Sequence, residues 1–284
     1  MSTWRVYIPN DELRDLAKER ASVSGYPGGD ENLDGSDTRL FRGGARTVTM
    51  AITYDFDEQV VLVTGASGAL GSAVAEAFDE SGATVAAVDV VTPDDDGALV
   101  DPSAIDFYRA DLTDEQEVES AVSSIVGDHE RLDAVCNVAG TWRGGTPIDE
   151  TDVGEFEFLF DVNLKSMFLV SKHAIPHLRE RSGAIVSVSA RSSLEGGEGD
   201  GPYRASKAGV RLLTETIAEE NRGVVRANAI MPSVLDTPMN REMMPESDHS
   251  KWVDPADVAS VVMFLCSEAS TVTSGAAVPV YGEA

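Results

Sequence analysis

The chain has 284 residues and a formal net charge of -27, from 22 Lys and Arg against 49 Asp and Glu, so its field repels polyanions and excludes nucleic acid as a partner. Its length admits one large α/β domain, two cysteines are too few for a disulfide framework, and no run approaches the roughly 20 apolar residues that span a bilayer. The composition therefore predicts a cytoplasmic protein with reduced thiols at Cys136 and Cys266, and its acidic, lysine-poor make-up fits a halophilic solvent in which salt relieves self-repulsion.

Residues 1–49 carry Gly25, Pro27, Gly28, Gly29, Gly35, Gly43 and Gly44 among many charges, with no sustained period beyond a short helical pattern at Asp11 to Arg20. They are expected to form a poorly ordered extension, and Met50 is a natural alternative start for the catalytic domain at 50–284. Such a segment has little apolar surface to offset about 1–2 kcal/mol of backbone entropy per ordered residue. A chain beginning at Met50 should therefore match the full chain in melting temperature and turnover at equal salt; a large loss of either would move the boundary.

From Gln59 onward, short apolar runs alternate with helical patterns, the form taken by a parallel sheet covered on both faces. Seven strands are predicted, at Val60 to Thr64, Thr84 to Asp89, Ile105 to Arg109, Ala134 to Val138, Ala184 to Val188, Val224 to Ile230 and Ala277 to Val280. The expected fold is a single doubly wound Rossmann-type domain with a seven-stranded parallel sheet.

The first strand runs into Thr64-Gly65-Ala66-Ser67-Gly68-Ala69-Leu70-Gly71 and then a helical pattern, Ser72 to Glu80. Glycines allow a tight turn and close backbone approach, so the helix N-terminus can present free N–H groups and a positive dipole end to a pyrophosphate. Asp89 ends the second strand, where a carboxylate would accept from ribose hydroxyls and repel a 2′-phosphate; with no arginine close behind it, NAD(H) is favoured over NADP(H). The third strand leads to Asp111 and Leu112, with Asp111 in reach of an adenine amino group. Thr113 with Gln116 reads as a capping box, and Asp254-Pro255 as an N-cap followed by an N1 proline.

Further along, Phe156, Leu159, Phe160, Leu164, Phe168 and Leu169 form a wide stripe suited to core and subunit contact. His173 and His177 share a helical spacing, but no carboxylate-rich motif accompanies them and no metal is expected. Tyr203 and Lys207 stand at i,i+4 in Tyr203-Arg204-Ala205-Ser206-Lys207. An ammonium near a phenol favours phenolate, so Lys207 is expected to pull the Tyr203 pKa down from about 10 and make it a usable acid or base.

Together, TGASGALG, NVAG at Asn137 to Gly140, VNLKS around Asn163, YRASK, and NAIMPSVLDT at Asn228 to Thr237 make the chain from Gln59 onward resemble the short-chain dehydrogenase/reductase family. The resemblance implies an NAD(P)-dependent oxidoreductase that moves hydride between the cofactor and a small carbonyl or alcohol substrate. It implies that Gly65, Gly68, Leu70 and Gly71, with Ser67 in the same turn, cradle the pyrophosphate, and that Asn137, Ala139 and Gly140 line the adenosine side. It further implies that Thr237 approaches the nicotinamide carboxamide, that Lys207 holds the nicotinamide ribose, and that Asn163 supports the proton relay. A homodimer or homotetramer built on the helices at Val153 to Arg181 and Tyr203 to Asn221 also follows from it.

Two positions depart from the family pattern. Ala69 replaces its common glycine, and Ala190 stands thirteen residues before Tyr203, where a substrate-orienting serine is usual. Ser189, Ser192 and Ser193 lie close by, although Ser189 should point to the other side of the strand end. The stretches DAVCNVAGTWRGG, ARSSLEGG and LDTPMNREMMPESDHSKW are similar to dihydropteridine reductases, which also lack the serine, and in that reading Trp142 stacks on a pterin ring. A dinucleotide-binding redox sensor without catalysis is the alternative from another class.

Overall fold

A computed structural model describes residues 54–103 and 105–283. The extension, its helical pattern at Asp11 to Arg20 and the boundary at Met50 lie outside these residues.

The strands are β1 (Val60–Thr64), β2 (Thr84–Asp89), β3 (Asp106–Arg109), β4 (Ala134–Asn137), β5 (Ala184–Val188), β6 (Arg226–Pro232) and β7 (Ala277–Val280). All pair in parallel, in the order β3-β2-β1-β4-β5-β6-β7. The principal helices are α1 (Ala69–Asp79), α2 (Glu115–His129), α3 (Val153–Phe160), α4 (Ser166–Arg181), α5 (Gly201–Glu220), α6 (Pro238–Met243) and α7 (Pro255–Cys266).

Strand alternation explains the continuous apolar runs. Val61 and Val63 of β1 pack with Val74 and Phe78 of α1 and Val258 and Val262 of α7, while Val60 and Leu62 join Val118 and Ile125 of α2, Leu178 of α4 and Val210 of α5. Both faces of the strand are therefore buried, as a doubly wound sheet requires. Cys136 and Cys266 are buried free thiols with their sulfurs 4.0 Å apart.

Differences from the expected elements have local causes. β4 ends at Asn137 because the Val138 and Ala139 N–H groups turn away to the Thr64 hydroxyl, at 3.0 and 3.1 Å. β6 starts at Arg226, since the Val224 and Val225 N–H groups close the preceding turn onto the Asn221 carbonyl. α2 is capped by Asp114, whose carboxylate accepts from the Gln116 and Glu117 N–H groups; Thr113 instead donates its hydroxyl to Asp111. A carboxylate is the stronger acceptor for free N–H groups at a helix start. The predicted cap at Asp254 forms, accepting from the Ala256 N–H at 2.9 Å.

The helical stretch from Val153 to Arg181 is two helices joined by a π-helical turn, Asp161–Lys165. That turn divides the apolar stripe. Leu159 and Leu169 enter the core, whereas Phe156 and Phe168 stay 45% and 48% exposed.

Candidate active site

β1 and β4 are neighbours, while β2 and β3 continue to one side and β5 to β7 to the other, so a crevice opens beyond the carboxyl ends of β1 and β4. Its floor depends on close backbone contact. Gly65 has φ of +66°, and a β-carbon there would lie 2.7 Å from the Ala139 Cα. A β-carbon on Gly71 would lie 2.0 Å from the Gly65 carbonyl oxygen, so α1 sits directly on the turn. Gly68, the N-cap of α1, meets only the Gly65 oxygen at an ordinary 3.4 Å.

α1 has no side-chain cap and no acidic residue in its first turn. Its N-terminus is thus electrostatically suited to a phosphate, and the glycine cradle fits the pyrophosphate of a dinucleotide. Leu70 and Leu112 are buried in the core, so any cofactor contact from them comes from the backbone. The Asn137 amide is likewise turned inward, donating to Ser171 and Ser187 at 3.2 and 3.3 Å.

Asp89 braces the glycine turn. One carboxylate oxygen accepts from the Ser67 N–H at 3.0 Å and the other from the Val91 N–H at 3.1 Å, while the Ser67 hydroxyl donates to the Val91 carbonyl. Register also sets Arg109 beside Asp89 on the neighbouring strand, a cation that sequence order does not reveal. Asp111 folds its carboxylate over Thr113, which donates both N–H and hydroxyl and holds the acid below the usual carboxylate range, helped by Lys165 and Arg109.

On the other side of the crevice, α5 carries half-buried Tyr203 and buried Lys207 one turn apart. Lys207 Nζ donates to the Val188 carbonyl at 2.9 Å, at the end of β5. A β-carbon on Gly140 would lie 2.8 Å from both Lys207 Nζ and Asn163 Oδ1, so the glycine leaves room for both polar groups. Asn163 comes from the π-helical turn. It accepts from the Thr141 N–H at 2.8 Å and donates to the Thr141 carbonyl and the Ser206 hydroxyl, joining the loop after β4 to α5.

The expected lowering of the Tyr203 pKa is corrected. Burial, with Asp200 nearby, pushes it up to about 12, and Arg204 opposes this only in part. Burial also pushes Lys207 down to about 8. Desolvation disfavours the charged form of each group and is the leading cause of both shifts.

The loops that follow β4 and β5 join each other. Gly145 and Thr146 donate to the Gly199 carbonyl at 2.7 and 3.2 Å, and half-exposed Trp142 stands beside Gly144 on this junction. Arg204 Nε donates to Asp200 at 2.5 Å, and its Nη1 donates to the Ser192 and Glu195 carbonyls. Thr237 caps α6, accepting from the Asn240 N–H at 3.2 Å. His173 lies 3.4 Å from Glu115, and among the described residues no group of three or more His, Cys, Asp or Glu side chains gathers to hold a metal.

Sequence reading missed Thr64 and Arg204. A polar residue closing the apolar run of β1 was the signal for Thr64, and the i,i+4 acid–base pair Asp200 and Arg204 was the signal for the loop clamp.

A family profile described as Enoyl-(Acyl carrier protein) reductase matches residues 65–282. The chain belongs to the short-chain dehydrogenase/reductase family. It is 31% identical over 239 residues to the 3-oxoacyl-(acyl-carrier-protein) reductase FabG of Thermotoga maritima, covering 79% of this chain and 96% of that one. It is 30% identical over 251 residues to the 2-dehydro-3-deoxy-D-gluconate 5-dehydrogenase of Formosa agariphila, covering 81% and 93%. The solved structure of Thermoplasma acidophilum aldohexose dehydrogenase matches with a TM-score of 0.73 at 29% identity, over 81% of this chain and 95% of that one. As a short-chain dehydrogenase/reductase, the protein is an NAD(P)-dependent oxidoreductase acting on alcohol or carbonyl groups of small molecules.

Proposed function

We propose that this short-chain dehydrogenase/reductase reduces a small carbonyl compound, or oxidises the matching alcohol, with NAD(H) preferred and with Tyr203 as the proton-transferring group. The observation that carries the reading is the placement of Lys207 Nζ and Asn163 Oδ1 together over Gly140, with Tyr203 one turn from Lys207 on α5. When bound, the nicotinamide supplies the hydride. Gly65, Ser67, Gly68, Leu70 and Gly71 would hold the pyrophosphate largely through backbone groups, Asp89 the ribose hydroxyls, Asp111 and Leu112 the adenine edge. Asn137, Ala139 and Gly140 would line the crevice by their backbones, Thr237 would meet the carboxamide, and Lys207 would hold the nicotinamide ribose.

With its pKa near 12, Tyr203 is a neutral phenol at physiological pH and suits proton donation to a carbonyl oxygen. Lys207 then stabilises the phenolate left behind, and Asn163 holds the backbone around the relay. Since the Lys207 pKa is lowered to about 8, the charge is present below that pH and lost above it. Reductive kcat/KM should therefore fall as pH rises through about 8, and the limb should be absent in Lys207→Arg. A flat profile to pH 10 in the wild type would remove Lys207 from this role.

NAD(H) preference rests on the Asp89 carboxylate. Asp89→Ala leaves Arg109 on the adjacent strand without that opposing charge and should raise the NADPH-to-NADH ratio of kcat/KM by at least about tenfold. An unchanged ratio would mean that Asp89 does not face the ribose. The deciding assay for the whole reading is a panel of small carbonyls and quinonoid dihydropterin with NADH and NADPH, at low and high salt. The dehydrogenases and reductases among the relatives favour the carbonyl reading over pterin reduction with Trp142 as a stacking wall, and the retained Tyr203 and Lys207 disfavour a sensor.

The outer faces of α3, α4 and α5, where Phe156, Phe168 and Leu212 stay exposed and Phe156 stacks on Phe160, would join copies into a homodimer or homotetramer. Among the described residues no helix is long and apolar enough to cross a membrane. A cytoplasmic enzyme with an acidic surface adapted to salt agrees with the charge of -27.

A further inference from the structure

Asp200 is the N-cap residue of α5, yet its side chain accepts no hydrogen bond from the helix N–H groups, as an aspartate there ordinarily would. Its carboxylate instead receives Arg204 Nε at 2.5 Å, and both side chains are largely buried, at 15% and 23% exposed. Tyr203 is the third residue of the same helix, and N-cap and third-residue side chains are neighbours at a helix start. The ion pair therefore stands beside the phenol. Burial is the leading cause of the raised Tyr203 pKa, and beyond it the Asp200 charge raises that pKa while the Arg204 charge lowers it.

Arg204 is fixed by more than this one bond. Its Nη1 donates to the Ser192 and Glu195 carbonyls at 3.4 and 3.2 Å, and the guanidinium fills the space over Gly197, where a β-carbon would overlap it. The loop 192–200 thus closes around the guanidinium, whose planar fork serves three acceptors at once. Without Arg204, Asp200 would be a largely buried carboxylate stripped of the cation it holds. It would also stand three residues from a tyrosine that must itself become negative when it gives up its proton.

We propose that Arg204 is a positioning residue for the reaction: it holds the Asp200 carboxylate paired beside Tyr203, so that the phenolate formed during carbonyl reduction does not face a bare negative charge. This rests on the carbonyl-reductase reading above. The proton passes from the Tyr203 hydroxyl to the substrate oxygen as hydride reaches the carbonyl carbon, and Arg204 exchanges neither. Lys207 acts on the phenolate from one turn further along α5, whereas Arg204 acts through Asp200.

The test is single-turnover oxidation of NADH with the best carbonyl of the panel. It compares wild type with Arg204→Met, Arg204→Lys, Asp200→Asn, the double variant Arg204→Met with Asp200→Asn, and Tyr203→Phe. Arg204→Met should slow the step at least about fivefold, because an uncompensated charge acts strongly on a poorly hydrated phenolate, while NADH Kd stays within about twofold. Adding Asp200→Asn should restore the rate to within about twofold of wild type, since the amide carries no charge. A merely structural role for Arg204 would not be rescued in this way. Arg204→Lys keeps the charge and should remain closer to wild type than Arg204→Met, and Asp200→Asn alone should be no slower than wild type. A wild-type rate in Arg204→Met, or a loss that Asp200→Asn does not restore, overturns the proposal. Should Arg204→Met fail to fold, Asp200→Asn alone decides: a rate fivefold below wild type overturns the proposal, and an undiminished rate upholds it. If Tyr203→Phe loses turnover while Arg204→Met keeps it, the Arg204 role alone fails; if Tyr203→Phe remains active, the reading on which it rests fails.

Discussion

Tyr203→Phe is expected to lower reductive turnover by at least about 100-fold, the lower part of the range for a positioned general acid, while NADH binds within about twofold of wild type. The substitution removes one oxygen from a half-buried ring whose hydroxyl makes no hydrogen bond to the described residues, so the surrounding packing has no reason to change. The raised pKa sharpens the expectation. A phenol near 12 is fully protonated at neutral pH, and its proton is available in every molecule when the substrate oxygen gains charge. Single-turnover oxidation of NADH together with fluorescence titration of NADH binding separates chemistry from affinity. Near-normal turnover in the variant would sink the assignment of Tyr203 and revive the sensor reading.

The second large effect is structural. Gly71→Ala would set a methyl group 2.0 Å from the Gly65 carbonyl oxygen and 2.8 Å from the Ala66 Cα, both of them backbone atoms that cannot rotate away. α1 would have to lift from the turn that forms the crevice floor. Overpacking against backbone at a buried site should cost at least about 3 kcal/mol, or about 6–12 °C in Tm for a domain of this size. Dinucleotide binding should be lost with it. Gly68→Ala is the control, because its nearest neighbour is at an ordinary 3.4 Å and its φ is -85°. That variant should keep its Tm within about 2 °C while its NADH Kd rises at least about tenfold, since the new methyl stands at the mouth of the cradle. A Gly71→Ala protein with wild-type Tm would show that α1 does not sit on the Gly65 turn.

Much of this architecture was readable along the chain. Strands buried on both faces appear as unbroken apolar runs, and four of the seven, β1, β2, β5 and β7, have the bounds that the runs predict. The glycine turn after β1 and the i,i+4 pair Tyr203 and Lys207 are local patterns, legible because a turn or one helical step brings their parts together. Charge, likewise a sum over residues, sets up a field that repels polyanions without any fold.

What the tertiary structure alone decided involves groups far apart in sequence. Parallel register brings Arg109 beside Asp89, Thr64 draws off the N–H groups that would extend β4, and Ser171 and Ser187 turn Asn137 into the core. The sign of the Tyr203 shift belongs here too. Spacing told only that Lys207 lies one turn away, whereas burial depends on everything packed around the pair, and burial is the leading cause of both shifts. Among three serines that look equivalent in sequence, only packing across β5, α5 and Met231 determines that Ser189 and Ser193 bond inward and Ser192 keeps a free hydroxyl.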